Sequence, residues 1–206
     1  MTTPGIYDLL IATNNAGKIR ELNGLLIGLP LRLRQLSEFS QIKEVAETGQ
    51  TFADNAMLKA RLYARQTSLW TLADDSGLEV AALGGAPGVL SARYGGANLT
   101  IAERNARLLA ELKFTGDRLR TARFICVIAL YDPETGAAEL FFGTCEGHLA
   151  IRPRGNNGFG YDPLFVPSGY AHTFAELPDD IKAEISHRAH ALKAVRAYLS
   201  GRLLLP

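Results

Sequence analysis

Cysteine is scarce in this chain. Cys126 and Cys145 are the only two, and they stand in no metal-type spacing, which excludes a cysteine-built zinc motif and suits a reducing interior. We expect both to be ordinary strand residues. Long apolar runs are missing as well: no stretch approaches the roughly 20 apolar residues that span a bilayer, so no membrane partner is expected. Nor is there an excess of one charge, with 22 basic residues against 21 acidic ones. That balance argues against a protein that coats nucleic acid, and any polyanion it binds should be small. The beginning, "MTTPGIYDLL", lacks the basic region and apolar stretch of an export signal, and the expected location is cytoplasmic. Internal repeats and low-complexity linkers are absent. With 47% apolar residues in 206, the expectation is one domain, 1–206, with a sizeable core.

What is present reads as alternating strands and helices. "YDLLIA" has strand length, and "KIRELNGLL" after it has helical spacing; "LRLRQL", Leu31 to Leu36, alternates strictly. "TFADNAMLKARLYARQT" sets Phe52, Ala56, Leu58, Leu62 and Tyr63 at helical intervals, with Thr51 or Thr48 as N-cap. "LWTLADDSGLEVAAL" reads as strand, acidic turn, strand. "GGAPGVLSARYGG" must be a shaped loop, because five glycines and Pro87 do not suit regular structure. A helix is expected at about Leu99 to Leu112. The runs "RTARFICVIALY" and "AELFFGTCEGHLA", joined by "DPETG", read as a long hairpin. A loop and short strand follow in "GNNGFGYDPLFVP", then a last helix from about His187 to Leu203. The fold class is α/β, a mixed twisted sheet flanked by helices.

Five places could carry chemistry. Ala12-Thr13-Asn14-Asn15-Ala16-Gly17-Lys18 lies between strand and helix, where free backbone N–H groups favour a phosphate. It fails the common phosphate-loop pattern, which wants Gly at Ala12 and Ser or Thr at Ile19. "ADDSG", Ala73 to Gly77, puts two acids at the end of an apolar strand. Adjacent strand residues face opposite ways, so Asp74 and Asp75 cannot be equivalent; an Asx-type turn remains the alternative. Glu47 supplies a carboxylate from another element, and two such carboxylates with phosphate oxygens and waters suit Mg²⁺. A helix-dipole role would explain Glu47 equally well. "GNNGFGYD", Gly155 to Asp162, surrounds two rings with glycine, so that Phe159 or Tyr161 could stack on a nucleobase or pack in a core. Lys182, His187 and Arg188 form a set of N–H donors near the start of the last helix, which Ser186 could cap. His187 and His190 lack further ligands nearby for zinc.

Taken in order, "TNNAGKIREL", "ETGQTFADNAMLKA", "ADDSGLEV", "GGAPGVLSARYGG", "GFGYDPLF" and "ISHRAHALK" resemble the inosine triphosphate pyrophosphatases, hydrolases of noncanonical purine nucleoside triphosphates. The resemblance runs through nearly the whole chain and is strongest to the bacterial type acting on dITP, ITP and XTP. It implies an elongated α/β fold with an active-site cleft between two lobes, a homodimer, Mg²⁺ dependence, and release of a nucleoside monophosphate and pyrophosphate. By position it implies that Thr13, Asn14, Asn15, Ala16, Gly17 and Lys18 hold the triphosphate, that Asp75 is the general base and that Ser76 lies beside the substrate. It further implies that Phe159, Gly160, Tyr161, Asp162, Lys182, His187 and Arg188 surround the base, and that Glu47 and Asp75 are the metal-associated carboxylates. Many members have two consecutive acids where this chain has Ala46-Glu47. A sister class acting on modified pyrimidine triphosphates carries a Ser-Pro-Arg-Arg entry loop, which is missing after the first strand here.

Overall fold

The computed structural model describes residues 6–203. Strand β1 (Tyr7–Ile11), helix α1 (Ala16–Leu26) and strand β2 (Leu31–Gln35) come first, then α2 (Phe52–Thr67), β3 (Trp70–Val80) and α3 (Ile101–Phe114). The hairpin strands β4 (Thr121–Tyr131) and β5 (Ala138–Leu149) follow, then β6 (Phe165–Pro167), α4 (Asp179–Ile185) and α5 (His187–Leu203). Six strands make one mixed sheet in the order β2-β1-β3-β4-β5-β6. β1 runs parallel to both β2 and β3, pairing Leu9 with Leu33 and with Trp70; the helical crossovers α1 and α2 make those parallel pairings possible. β5 and β6 are antiparallel.

The chain divides into two compact units. The first comprises Met1–Asp75, Cys126–Gly143 and Arg188–Pro206, and the second Ser76–Ile125 and Thr144–His187. The first has its own core, in which Leu9, Ile11 and Leu72 of the strands meet Leu22 and Leu26 of α1, and Leu192, Val195 and Leu199 of α5. The second packs Leu78, Phe124 and Leu149 with Leu108 and Leu112 of α3 and with Phe165 and Phe174. Each such fully buried side chain contributes about 1.5–3 kcal/mol. Cys126 and Cys145 are buried, free thiols in β4 and β5, and burial pushes both up to about 12.

Helix starts follow their local chemistry. Thr51 caps α2 and Thr100 caps α3, each in a reciprocal box with an acid three residues on, Asp54 and Glu103. The hairpin turn closes through Asp132, whose N–H donates to the Ala137 carbonyl. A 3₁₀ turn, Ala81–Leu83, leads into the Gly-rich run, and a second, Gly88–Arg93, lies within it.

Three expectations are corrected. β3 runs unbroken through Asp74 and Asp75 with no turn; buried acids are tolerated there because cations from other elements compensate them. On α2 the buried face is Phe52, Asn55, Ala56, Lys59, Ala60, Tyr63 and Ala64, while Leu58 and Leu62 are only half-buried. The stripe includes two polar residues because they, too, have built partners. Lys182 belongs to a separate short helix, α4, that the charged segment "DDIKAEI" did not suggest.

Candidate functional site

In the first unit, the loop after β1 is closed on itself. Asn15 is the N-cap of α1, its Oδ1 accepting from the N–H groups of Gly17 and Lys18 at 2.9 and 3.1 Å. Its own N–H donates to Thr13 Oγ1. Asn14, Asn15 and Ala16 are exposed and Gly17 is buried. Lys18, on the first turn of α1, sends its ammonium to Asp74 Oδ2 at 2.9 Å.

Asp74 is the buried hub of one side of β3. Besides Lys18, the Arg188 guanidinium lies at 3.4 Å through Nε and Nη2, and Arg188 also pairs with Glu21 of α1. The Asp74 side chain has no exposed surface, and that of Arg188 is 2% exposed. Burial opposes the Asp74 charge, yet Lys18, Arg188 and Lys59 together hold its carboxyl well below the usual carboxylate range. Arg188 is likewise raised against its burial by Asp74 and Glu21.

Asp75 has different neighbours, as strand alternation requires. Its Oδ2 accepts from the Asn55 amide at 3.1 Å; its Oδ1 lies 3.6 Å from the Lys59 ammonium. Lys59 also donates to Glu47 Oε1 at 2.5 Å and to the Asp74 carbonyl at 2.7 Å. Burial, reinforced by the Glu47 charge, raises the Asp75 carboxyl above its ordinary value against the pull of Lys59. Lys59 is raised despite burial, because Asp75, Asp74 and Glu47 surround it.

Glu47 is held in this group by an irregular segment laid along α2. The Lys43 N–H donates to Gln66 Oε1, the Val45 N–H to Tyr63 Oη and the Gly49 N–H to Asn55 Oδ1, while Glu47 meets Lys59. Residues 55, 59, 63 and 66 follow the i, i+4, i+8, i+11 rhythm of one helix face, so one stripe of α2 holds every second residue from 43 to 49. Among the described residues no group of three or more His, Cys, Asp or Glu side chains could hold a metal. Glu47 and Asp75, which meet about the Lys59 ammonium, are the carboxylates of this unit that could take part in holding a divalent cation, whose other positions waters and substrate phosphates would fill.

The second unit carries a separate cluster. Lys182 Nζ bonds Asp162 Oδ2 at 2.6 Å and lies 4.7 Å from the Phe159 ring centroid. The same Asp162 oxygen accepts from the Phe159 N–H at 2.8 Å, which fixes the Gly-rich turn. Gly160 accepts from the Asn105 amide. Tyr161 is buried, its hydroxyl donating to the Ser91 carbonyl at 2.9 Å; the ring that could have stacked or packed is a core ring. His187 stacks on Phe124, centroids 4.6 Å apart. Ser76 is half-buried in β3.

Residue reasoning thus missed Asn55, Lys59 and Glu21, and it left open which partners Asp74 meets. The first two carried a legible signal, since an Asn and a Lys four apart within an apolar helix stripe must have buried partners.

The model of the Ham1 family matches residues 9–198. This chain belongs to the Ham1 family. Relatives within it include the dITP/XTP pyrophosphatase of Syntrophobacter fumaroxidans, 52% identical over 89% of this chain and 78% of that protein. The dITP/XTP pyrophosphatase of Coxiella burnetii is 45% identical over 97% of this chain and all of that one. Among solved structures, the HAM1 protein from Coxiella burnetii superimposes with a TM-score of 0.89 at 44% identity, covering 95% of this chain and 99% of that one. Ham1 membership accounts for the mixed α/β sheet.

Proposed function

We propose that this chain hydrolyses dITP, ITP and XTP to the nucleoside monophosphate and pyrophosphate, removing them before incorporation into DNA or RNA. The observation that carries this reading is the gathering of Glu47 and Asp75 about the Lys59 ammonium in the first unit, with Lys18 on the neighbouring Asp74. Water attacks the phosphorus nearest the sugar, one bond to the bridging oxygen breaks, and pyrophosphate leaves. Asp75 takes the proton of that water as general base. Lys18 supplies positive charge to the phosphates, and the turn from Thr13 to Gly17 orients them. Glu47 and Asp75 would hold Mg²⁺, which when bound neutralises phosphate charge.

Base choice belongs, in this reading, to Phe159, Asp162, Lys182 and His187 of the second unit. Hypoxanthine and xanthine present a carbonyl acceptor at position six where adenine presents an amino donor. A buried donor facing that amino group would be left unsatisfied, at about 1–3 kcal/mol. Arg188 was a candidate for the same set; its pairing with Asp74 and Glu21 supports a role in holding Asp74 as well. We further infer a homodimer working in the cytoplasm, which light scattering of the purified protein tests for assembly. Pyrophosphate release from a panel of dITP, ITP, XTP, ATP and GTP, with and without Mg²⁺, tests the activity. Rapid release from the first three with Mg²⁺ is expected, and equal rates on ATP would refute the specificity.

A further inference from the structure

Asn55 is wholly buried on the first turn of α2, yet nothing in the proposed chemistry so far uses it. Both ends of its amide are engaged. Oδ1 accepts from the Gly49 N–H at 2.7 Å, and Nδ2 donates to Asp75 Oδ2 at 3.1 Å. The orientation of the amide follows from chemistry: a backbone N–H can only donate, so the oxygen must face Gly49, and the NH₂ is left for a carboxylate that can only accept. Flipping the amide would break both bonds. A methyl group at Gly49 would meet Asp54 Cβ at 2.6 Å and Asn55 Oδ1 at 2.8 Å, so the loop closes against α2 as tightly as glycine allows.

We propose that Asn55 is a positioning residue that joins the loop carrying Glu47 to the Asp75 carboxylate and sets the rotation of that carboxylate. With Oδ2 anchored by the amide, Oδ1 is the oxygen turned toward Lys59, the ammonium that Glu47 also meets. Lys59, one turn further along the same helix face, attracts both carboxylates by charge but cannot fix their rotation, because an ammonium is a point charge with freely turning donors. The planar amide can. The inference rests on the base role given to Asp75.

Two substitutions separate the halves of the bridge. Asn55→Asp keeps an oxygen for the Gly49 N–H and removes the NH₂ that Asp75 needs, at almost unchanged volume; Asn55→Ala removes both. Groups that orient a reacting or ligating side chain typically change activity 10- to 100-fold. Accordingly, kcat for ITP should fall 10- to 100-fold in both variants with KM changed less than about threefold. Amide hydrogen exchange at Gly49 should remain slow in Asn55→Asp and become fast in Asn55→Ala. Rates are measured well below each variant's melting temperature, and Asn55→Ala alone decides if the other does not fold. Unchanged kcat in a folded variant, or a rise confined to KM, overturns the proposal. Asp75→Asn run alongside separates the two readings: full activity there removes the base role itself, whereas an inactive Asp75→Asn beside a fully active Asn55→Asp sinks only the part given to Asn55.

Discussion

Replacing Asp74 by Asn removes a single negative charge and almost no volume. The charge lies between Lys18 at 2.9 Å and Arg188 at 3.4 Å, with none of the Asp74 side chain exposed. Taking one partner from a buried pair costs about 3–5 kcal/mol, because the remaining charge stays desolvated. Two features place the cost at the lower end. The Lys18 side chain is 14% exposed and can reach water, and Arg188 keeps Glu21. About 3 kcal/mol is then expected, out of a total of about 5–15 kcal/mol for a folded domain, equivalent to a melting temperature lower by about 6–12 °C for a chain of this length. The effect has a definite pH dependence. The folded-state carboxyl is held below its ordinary value, so its contribution is complete above the unfolded value of about 3.9 and is lost as pH falls toward the folded one. Wild type and Asp74→Asn should therefore differ fully at pH 7 and converge in acid. Urea unfolding at both pH values measures this. A difference under about 1 kcal/mol at pH 7 would place the pair among exposed bridges and refute the reasoning.

Asp75→Asn should behave in the opposite way. Burial and Glu47 raise the folded carboxyl, so the charged form opposes folding above the ordinary value; the neutral amide should leave the melting temperature equal or higher, while turnover falls roughly 10²- to 10⁴-fold. Gly158 has φ of +73° and a side chain there would overlap the Asp162 carboxylate. Gly158→Ala should disturb the Asp162–Lys182 pair and lower the preference for ITP over ATP, read as the ratio of kcat/KM values. Chelation of divalent cations should abolish turnover, reversibly with added Mg²⁺, and leave the melting temperature unchanged, because Lys59 already balances Glu47 and Asp75 in the folded chain.

Much of the architecture was legible because it is local. Thr51 and Thr100 announce their helices through an acid three residues later, and "DPETG" closes a hairpin where its turn residues say it should. The acidic stretch at Asp74 and Asp75 was misread as a turn for the same reason that local signals work: Asp favours turns when nothing else satisfies it. Here Lys18, Lys59 and Arg188 satisfy it, and the strand continues. The α2 stripe was misjudged in a related way. Phe52, Ala56 and Tyr63 lie on the buried face as their spacing suggests, but Leu58 and Leu62 do not: the face is shared with Asn55 and Lys59, to which the segment from 43 to 49 offers N–H and carboxylate partners.

The sequence by itself determined the α/β class, the order of most strands and helices, the inequivalence of the two adjacent acids and the resemblance that led to a nucleotide hydrolase. Only tertiary structure decided which partners each acid meets. Strand alternation requires Asp74 and Asp75 to face different ways, but it cannot say which cations wait on each side. Arg188 reaches Asp74 across 114 positions of chain, and Asn55 reaches Asp75 across 20. An isolated carboxylate buried in a strand is a penalty, whereas the same group beside an ammonium or an amide is compensated and oriented. That difference is made by packing and desolvation, which exist only once the elements have come together.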